Sequence, residues 1–234
     1  EEKQKVMFWQ SRLASLGQML SNIAHQWRQP LTELSLVIYN IKKDALDNKT
    51  EDITTSYNHS KEIIKNMSNT IEDFSNFFNP HKEKTLFSLK NCIKEAITIS
   101  GRTIQEEHIF LKTNLIDVEI LGISNELTQV VINLIQNSKD AFVHNEIQQK
   151  EIIITTKLEK SSVQIIIQDN AGGVKKENVD KLFEPYFTTK HSSSGTGLGL
   201  FMSKMICEQG FQGAMNFENT QNGIKFTITI PIMK

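Results

Sequence analysis

The sequence predicts an α+β protein: a long antiparallel helical hairpin, then an α/β sandwich with helices on one face of a mixed sheet. Three observations carry that prediction. Apolar residues recur in alternating steps of three and four through residues 1–79. After residue 85 the period changes, and short β-rich runs alternate with helical stretches. Between Ala171 and Gly199 a Gly- and Ser-rich segment shows little periodicity. The expected domains are residues 1–80 and 85–234.

The first helix aligns Val6, Trp9, Leu13, Leu16, Leu20 and Ile23, and then Trp27, Leu31, Leu34, Ile38, Ile41 and Ala45, along a heptad seam. Ile23, Trp27 and Leu31 are separated by two successive steps of four, a stutter that locally unwinds a supercoil. Pro30 sits inside it, and its ring predicts a kink. A polar break follows. Thr50 is expected as N-cap, with Glu51 and Asp52 as an acidic first turn. The second helix carries Ile53, Tyr57, Ser60, Ile64, Met67, Ile71, Phe74 and Phe78, and Asn79-Pro80 ends it. One such hairpin cannot bury its whole seam. Two copies forming a four-helix bundle would, so a homodimer is expected. A plain coiled-coil linker is the simpler alternative.

The second half reads in order as a helix over Leu89–Ile104, strands at Ile109–Asn114 and Val118–Leu121, and a helix over Asn125–Phe142. A hairpin of Glu151–Leu158 and Ser162–Gln168 comes next, then a helix from Leu198 to Glu208, then strands at Ala214–Phe217 and Lys225–Pro231.

Composition narrows the class. Hydrophobic residues make up 38% and charged residues 23%, ordinary values for a globular chain. A net charge of −1 gives no reason to expect nucleic acid or an anionic membrane as partner. No apolar run approaches the roughly 20 residues that span a bilayer, and the charged N-terminus is unlike a signal peptide. The segment is expected to be cytoplasmic. Any contact with an inner membrane would come through a sensor segment outside this chain. Cys92 and Cys207 have no metal-like spacing and read as free thiols.

Four stretches carry chemistry. In NLIQNSKDA, Asn133 and Asn137 lie four apart on one helix face, with Asp140 beyond them. Amide oxygens suit a hard cation such as Mg2+, although for two asparagines taken alone surface polarity is the better reading. In QDNAGGV, Asp169 ends an apolar strand and can accept from an exocyclic amine such as that of adenine. Gly172 and Gly173 would let backbone approach a base, while an ordinary Asp-Asn turn is the alternative. In LFEPYFTTKHSSSGTGLGL, Phe183 and Phe187 flank Pro185, and Thr188, Thr189 and Lys190 supply donors and charge. Gly195, Thr196, Gly197, Leu198 and Gly199 then open a helix whose bare N–H groups suit phosphate. No Lys-Ser/Thr pair follows the last glycine, so this is not a P-loop. In NGIKFTITIP, Gly223 reads as a turn with a structural purpose.

Taken in this order, the four stretches resemble the ATP-binding fold shared by histidine kinases, gyrase, Hsp90 and MutL. The resemblance covers about Leu89 to Pro231. It implies that ATP and Mg2+ are the cofactors. It also makes Asn137 the metal ligand, and it places Asn133, Asp140, Asp169, Gly173, Phe187, Thr188, Thr189, Lys190 and residues Gly195 to Gly199 around the nucleotide. Ala171 stands where the usual Asp-x-Gly-x-Gly has its first glycine, which is tolerable if φ there stays negative. The ATPases of the superfamily carry a water-activating glutamate four residues before the magnesium asparagine. Here that position is Asn133, which favours kinase over ATPase.

The first half supplies an acceptor. SNIAHQWRQPL resembles the phospho-acceptor box of sensor histidine kinases, in the variant His-Gln-Trp-Arg-Gln-Pro. His25, Arg28, Pro30 and Leu31 match. With Leu20 and Trp27 at position a, His25 falls at f and faces outward, as an acceptor reached by other domains must. Imidazole is largely neutral near pH 7, and its Nε2 can attack the γ-phosphorus. Gln26 replaces the usual acid, so it can orient the Nδ1 proton but cannot take it. Gln29 replaces the Thr or Asn that commonly positions water for dephosphorylation. The resemblance implies a two-component histidine autokinase that passes phosphate to an aspartate of a response-regulator receiver domain. His59, His81, His108, His144 and His191 read as surface or helix-end residues.

Overall fold

The computed structural model describes residues 30–47, 50–77, 83–189 and 197–232. The expected kink before Pro30 lies outside them, as do His25, Gln26, Arg28, Gln29, Lys190, Gly195 and Thr196. The chain divides into two compact units, the second comprising His81–Phe187 and Gly197–Lys234.

The helical unit contains α1 (residues 30–46) and α2 (Thr50–Phe77). Glu51 and Asp52 occupy the first turn of α2, as expected. Thr50 is itself the first helical residue, one place inside the cap position predicted for it, and its carbonyl accepts from Thr54 Oγ1. The two helices are joined side to side by His59 Nε2 and Glu33 Oε1 at 3.0 Å. Val37 and Ile63, absent from the predicted seam, are the most buried apolar residues among those described in this unit, at 6% and 4% exposure. Leu31, Ile38, Tyr57 and Ile64 from the seam are exposed. Geometry explains the difference. Neighbouring helical residues point about 100° apart. Val37, Leu34 and Ile41 form the side of the stripe turned to α2, and Leu31 with Ile38 form the side that the hairpin leaves uncovered.

The second unit begins with a strand that sequence reasoning missed. β1 (Thr85–Ser88) pairs antiparallel with β3 (Glu119–Gly122), as a separate two-stranded sheet. Ser88 ends β1 and caps α3 (Leu89–Ile99), its Oγ accepting from Asn91 N at 3.2 Å. The predicted helix to Ile104 is broken at Ser100, where the chain restarts as α4 (Gly101–Glu106). A glycine in mid-helix weakens propagation by roughly 1 kcal/mol relative to alanine, which makes this the natural breaking point.

β2 (Phe110–Asn114), β4 (Glu151–Leu158), β5 (Ser162–Asp169), β7 (Ile224–Pro231) and β6 (Ala214–Asn219) form the main sheet in that spatial order. β2 runs parallel to β4, and the other pairings are antiparallel. The mixed sheet and the β4–β5 hairpin agree with the sequence. Period-two alternation buries one face. Ile154, Ile167, Phe226 and Phe217 fall in one cross-strand row, and Thr156, Ile165, Ile228 and Met215 in the next. Thr156 is the polar member of that second row, and its hydroxyl accepts from Ile116 N at 2.7 Å. α5 (Ser124–His144) buries Leu127, Val130, Val131, Leu134, Ile135 and Phe142, each at 0% exposure. Each such side chain contributes about 1.5–3 kcal/mol of burial. α6 (Gly199–Met205) continues into a π-turn at Ile206–Gly210, where a regular α-helix to Glu208 was predicted. Phe211 N reaches back five residues to Ile206 O. The Phe211 ring packs edge-on to Phe87, over Gly122, where a Cβ would collide with it.

Candidate nucleotide-binding site

α5 is the spine of the site. Asn133 and Asn137 project from one face, one turn apart, and both are half-buried. The adjacent Ser138 Oγ donates to Asp169 Oδ2 at 2.6 Å, which ties the helix to the end of β5. At the other end, Asn133 Nδ2 donates to Ser203 Oγ on α6 at 2.9 Å. Ser138 and Asn133 are five residues apart, so these two anchorages are separated by about 7–8 Å along the helix axis.

Asp169 occupies the last position of the buried β5 face, opposite Ile152, and is 5% exposed. Its Oδ1 accepts from Ala171 N at 3.0 Å and from Ile224 N at 3.3 Å. These bonds, with Ser138, orient a buried carboxylate at the lip of the sheet. The loop behind it is pinned by asparagines. Asn145 Nδ2 donates to Ala171 O at 2.6 Å. Asn170 Oδ1 accepts from Glu151 N at 2.9 Å, and its Nδ2 donates to Gln149 O at 2.7 Å. Asn219 accepts from Val174 N at 2.9 Å and donates to Val174 O at 2.7 Å. Gly173 has φ +72, and a Cβ there would lie 2.8 Å from Asn219 Oδ1. Ala171 is buried and is not among the residues of positive φ, so it fits its glycine-type position without strain. Gly223 sits against the backbone of Asp169, where a Cβ would overlap the carbonyl oxygen. The turn glycine is therefore needed for close approach.

At the other end, Tyr186 and Gly197 meet. Tyr186 N donates to Gly197 O at 2.9 Å, and both residues have positive φ, +69° and +64°. A positive φ is a real cost for a bulky aromatic residue. A Cβ on Gly197 would fall within 2.7 Å of Tyr186 Cα, so the glycine is sterically required. Burial raises the Tyr186 hydroxyl above the usual tyrosine value. Phe183 packs edge-on against Phe217, 5.5 Å between centroids, and Lys204 Nζ lies 4.7 Å from the Phe183 centroid on its ring face. Phe187 and Thr188 are half-buried, and Thr189 is exposed. Leu198 is buried at the start of α6, and Gly199 follows as its first residue.

The expected residues are thus partly assembled. Asn133, Asn137, Asp169, Gly173, Gly197, Leu198 and Gly199 sit around the α5 face, on the loops behind β5 and before α6. Asp140 shares the helix but is engaged sideways, accepting from Gln136 Nε2 at 2.9 Å and lying 3.5 Å from Lys139 Nζ. Sequence reasoning missed Ser138, Ser203, Asn145, Asn170 and Asn219. Ser138 and Asn170 lie inside the stretches NLIQNSKDA and QDNAGGV without having been singled out, and Ser203, Asn145 and Asn219 lie outside all four stretches. Among the described residues no group of three or more His, Cys, Asp and Glu side chains converges. The donors at the site are amide oxygens, and Asn133 Oδ1 fills the place that a Cβ on Gly199 would take. That set suits a hard cation that keeps most of its waters and shares them with phosphate.

Residues 122–234 match the family described as histidine kinase-, DNA gyrase B- and HSP90-like ATPases. The solved catalytic domain of the histidine kinase ThkA is 30% identical, with a TM-score of 0.56 over 64% of this chain and 96% of that one. ThkA in complex with the response regulator protein TrrA is 25% identical, with a TM-score of 0.65 over 96% of this chain and 64% of that one. The signal transduction histidine-protein kinase AtoS of Escherichia coli is 28% identical over 99% of this chain and 37% of its own length. Through its second unit the chain belongs to the histidine kinase-, DNA gyrase B- and HSP90-like ATPase family. It spans about a quarter to a half of the length of the curated relatives it matches. Among the described residues no helix is long and apolar enough to cross a membrane.

Proposed function

We propose that this chain is the dimerisation, phospho-acceptor and catalytic core of a two-component sensor histidine kinase, of the His-Gln-Trp-Arg-Gln-Pro subgroup. It transfers the γ-phosphoryl group of ATP to His25, and then to an aspartate of a response-regulator receiver domain. The observation that carries this reading is Asn133. An amide held by Ser203 stands where the ATPases of the fold need a carboxylate to activate water. With no base there, a nucleophile other than water receives the phosphoryl group.

In this reading Asp169 accepts from the adenine amine, and the pinned Ala171–Val174 backbone flanks the base. Asn137 is the residue that would hold Mg2+, which when bound neutralises charge between the phosphates. By the resemblance, Lys190, Thr188, Thr189 and residues 195–199 would serve the phosphates, and Phe187 and Asp140 would also contact the nucleotide. His25 Nε2 forms the new N–P bond as the bond to ADP breaks. Gln26 orients the Nδ1 proton, Arg28 adds positive charge, and Gln29 is the candidate for positioning water in any dephosphorylation. Pairing of two hairpins would cover Leu31, Ile38, Tyr57 and Ile64, which supports a homodimer. ThkA has been crystallised with a response regulator, and the same kind of partner is carried to this chain. Membrane anchoring would come from a sensor segment outside this sequence.

Labelled ATP should leave acid-labile, base-stable phosphate on the wild type and none on His25→Ala. Persistence of the label in that variant overturns the assignment. Mixing His25→Ala with Asn137→Ala subunits then separates transfer within a subunit from transfer across the dimer.

A further inference from the structure

The Asn133 amide has two unlike ends, and the structure gives each a different neighbour. Nδ2 donates to Ser203 Oγ at 2.9 Å. Oδ1 occupies the space that Gly199 leaves by having no Cβ. Ser203 lies one turn beyond Gly199 on α6 and is 2% exposed, so bulk water is a poor substitute for its hydroxyl. A rotated amide would turn an N–H donor toward Gly199, where it repels a cation and its phosphate-bound shell.

We propose that Ser203 is a positioning residue for the magnesium–nucleotide site. By accepting from Asn133 Nδ2, it holds the amide with its oxygen toward the start of α6. This rests on the reading of the cleft as a magnesium–ATP site. Ser203 itself touches neither nucleotide nor metal. It acts through Asn133, which the resemblance places beside the nucleotide, and α6 thereby carries both the glycine that makes room for the oxygen and the serine that aims it.

The test measures affinity for a trinitrophenyl-labelled ATP by fluorescence, with excess Mg2+ and again with a chelator. Ser203→Ala should weaken binding about fivefold with Mg2+, the size of one ordinary hydrogen bond. It should leave binding in chelator unchanged. Ser203→Cys fills the same space with a poor acceptor and should behave like alanine. Asn133→Asp offers an oxygen at either end, so adding Ser203→Ala to it should cost less than about twofold, the mark of coupled sites. Equal weakening with and without Mg2+ overturns the proposal, as does wild-type binding by Ser203→Cys. A full fivefold loss in the aspartate background overturns it too. If Ser203→Ala binds as the wild type does, the role of Ser203 falls alone. If the wild type fails to bind the nucleotide at all, the reading of the cleft falls, and the role with it.

Discussion

At the Asp169 end of the site, Asn145, Asn170 and Asn219 hold the loop backbone with their side chains, and Gly223 packs beneath it. At the Gly197 end, a backbone bond joins Tyr186 to Gly197, and two positive-φ residues set the crossing. Both ends hang on α5, through Ser138 and Asn133 respectively. Among the described residues, the Asp169 end is thus held by several side-chain bonds to loop backbone, and the Gly197 end by a backbone crossing of two positive-φ residues. A pocket for a planar base gains from a preformed shape, because ordering it on binding would subtract from affinity. In the proposed reading, the Gly197 end is the one that must also admit an acceptor.

This contrast can be broken most forcefully at Gly223. Gly223→Ala drives a Cβ into the Asp169 carbonyl, backbone against backbone, and should cost about 3 kcal/mol in urea unfolding while abolishing nucleotide binding. Asp169→Asn should come next. It removes the charged acceptor of three hydrogen bonds, with a loss of about 1.5–3 kcal/mol of stability and at least about tenfold of ATP affinity. Asn219→Ala should cost about 1–2 kcal/mol, because Asn145 and Asn170 still hold their parts of the loop. If it proves as damaging as Asp169→Asn, the redundancy inferred for the Asp169 end is wrong. The smallest effect is a pH dependence away from the cleft. The hydrogen bond from Lys150 holds the Glu107 carboxyl below the usual range. Its stabilising contribution is full above the unfolded value of about 4.3 and is lost as pH falls through the lower folded value. Thermal midpoints measured from about pH 5 down to about pH 3 should therefore fall less steeply in Lys150→Met than in the wild type.

The thiols offer a further control. Burial pushes Cys207 up to about 12 and raises Cys92 as well. Neither should react with a thiol reagent in the native state, and fast labelling of Cys207 would show that the π-turn below α6 opens.

Much of the fold was legible because burial follows period. The β-rich runs Glu151–Leu158 and Ser162–Gln168 marked two strands, and the short polar break between them marked the hairpin; their inner face was not marked, because Ile153 and Ile166 are as apolar as their buried neighbours. β1 was not legible, since four residues of exposed-to-intermediate pattern carry no period of their own. The break at Ser100 was missed because Gly101 only weakens a helix, and nothing in a local window shows that α3 has reached the edge of its contact with α5. In the hairpin, the three-and-four spacing located the apolar stripe without saying which half of it Ile63 would face. Among site residues, Asn133, Asp169 and the glycines were readable from motif order. The asparagine clamps were not, because Asn145 and Asn219 lie 74 residues apart and meet on one loop only after the sheet forms.

The sequence by itself determined the two-part organisation, the strand and helix types, the chemical character of the cleft and the candidate acceptor at His25. Those properties depend on side-chain chemistry and on local period, which a linear chain displays. Only the tertiary structure decided that Gly223 exists to let Asp169 approach, that Tyr186 bears a positive φ to meet Gly197, and that the Asn133 oxygen is aimed by a serine 70 residues away. These are contacts between distant segments, and their energies arise from close packing and from buried hydrogen bonds that no local window contains.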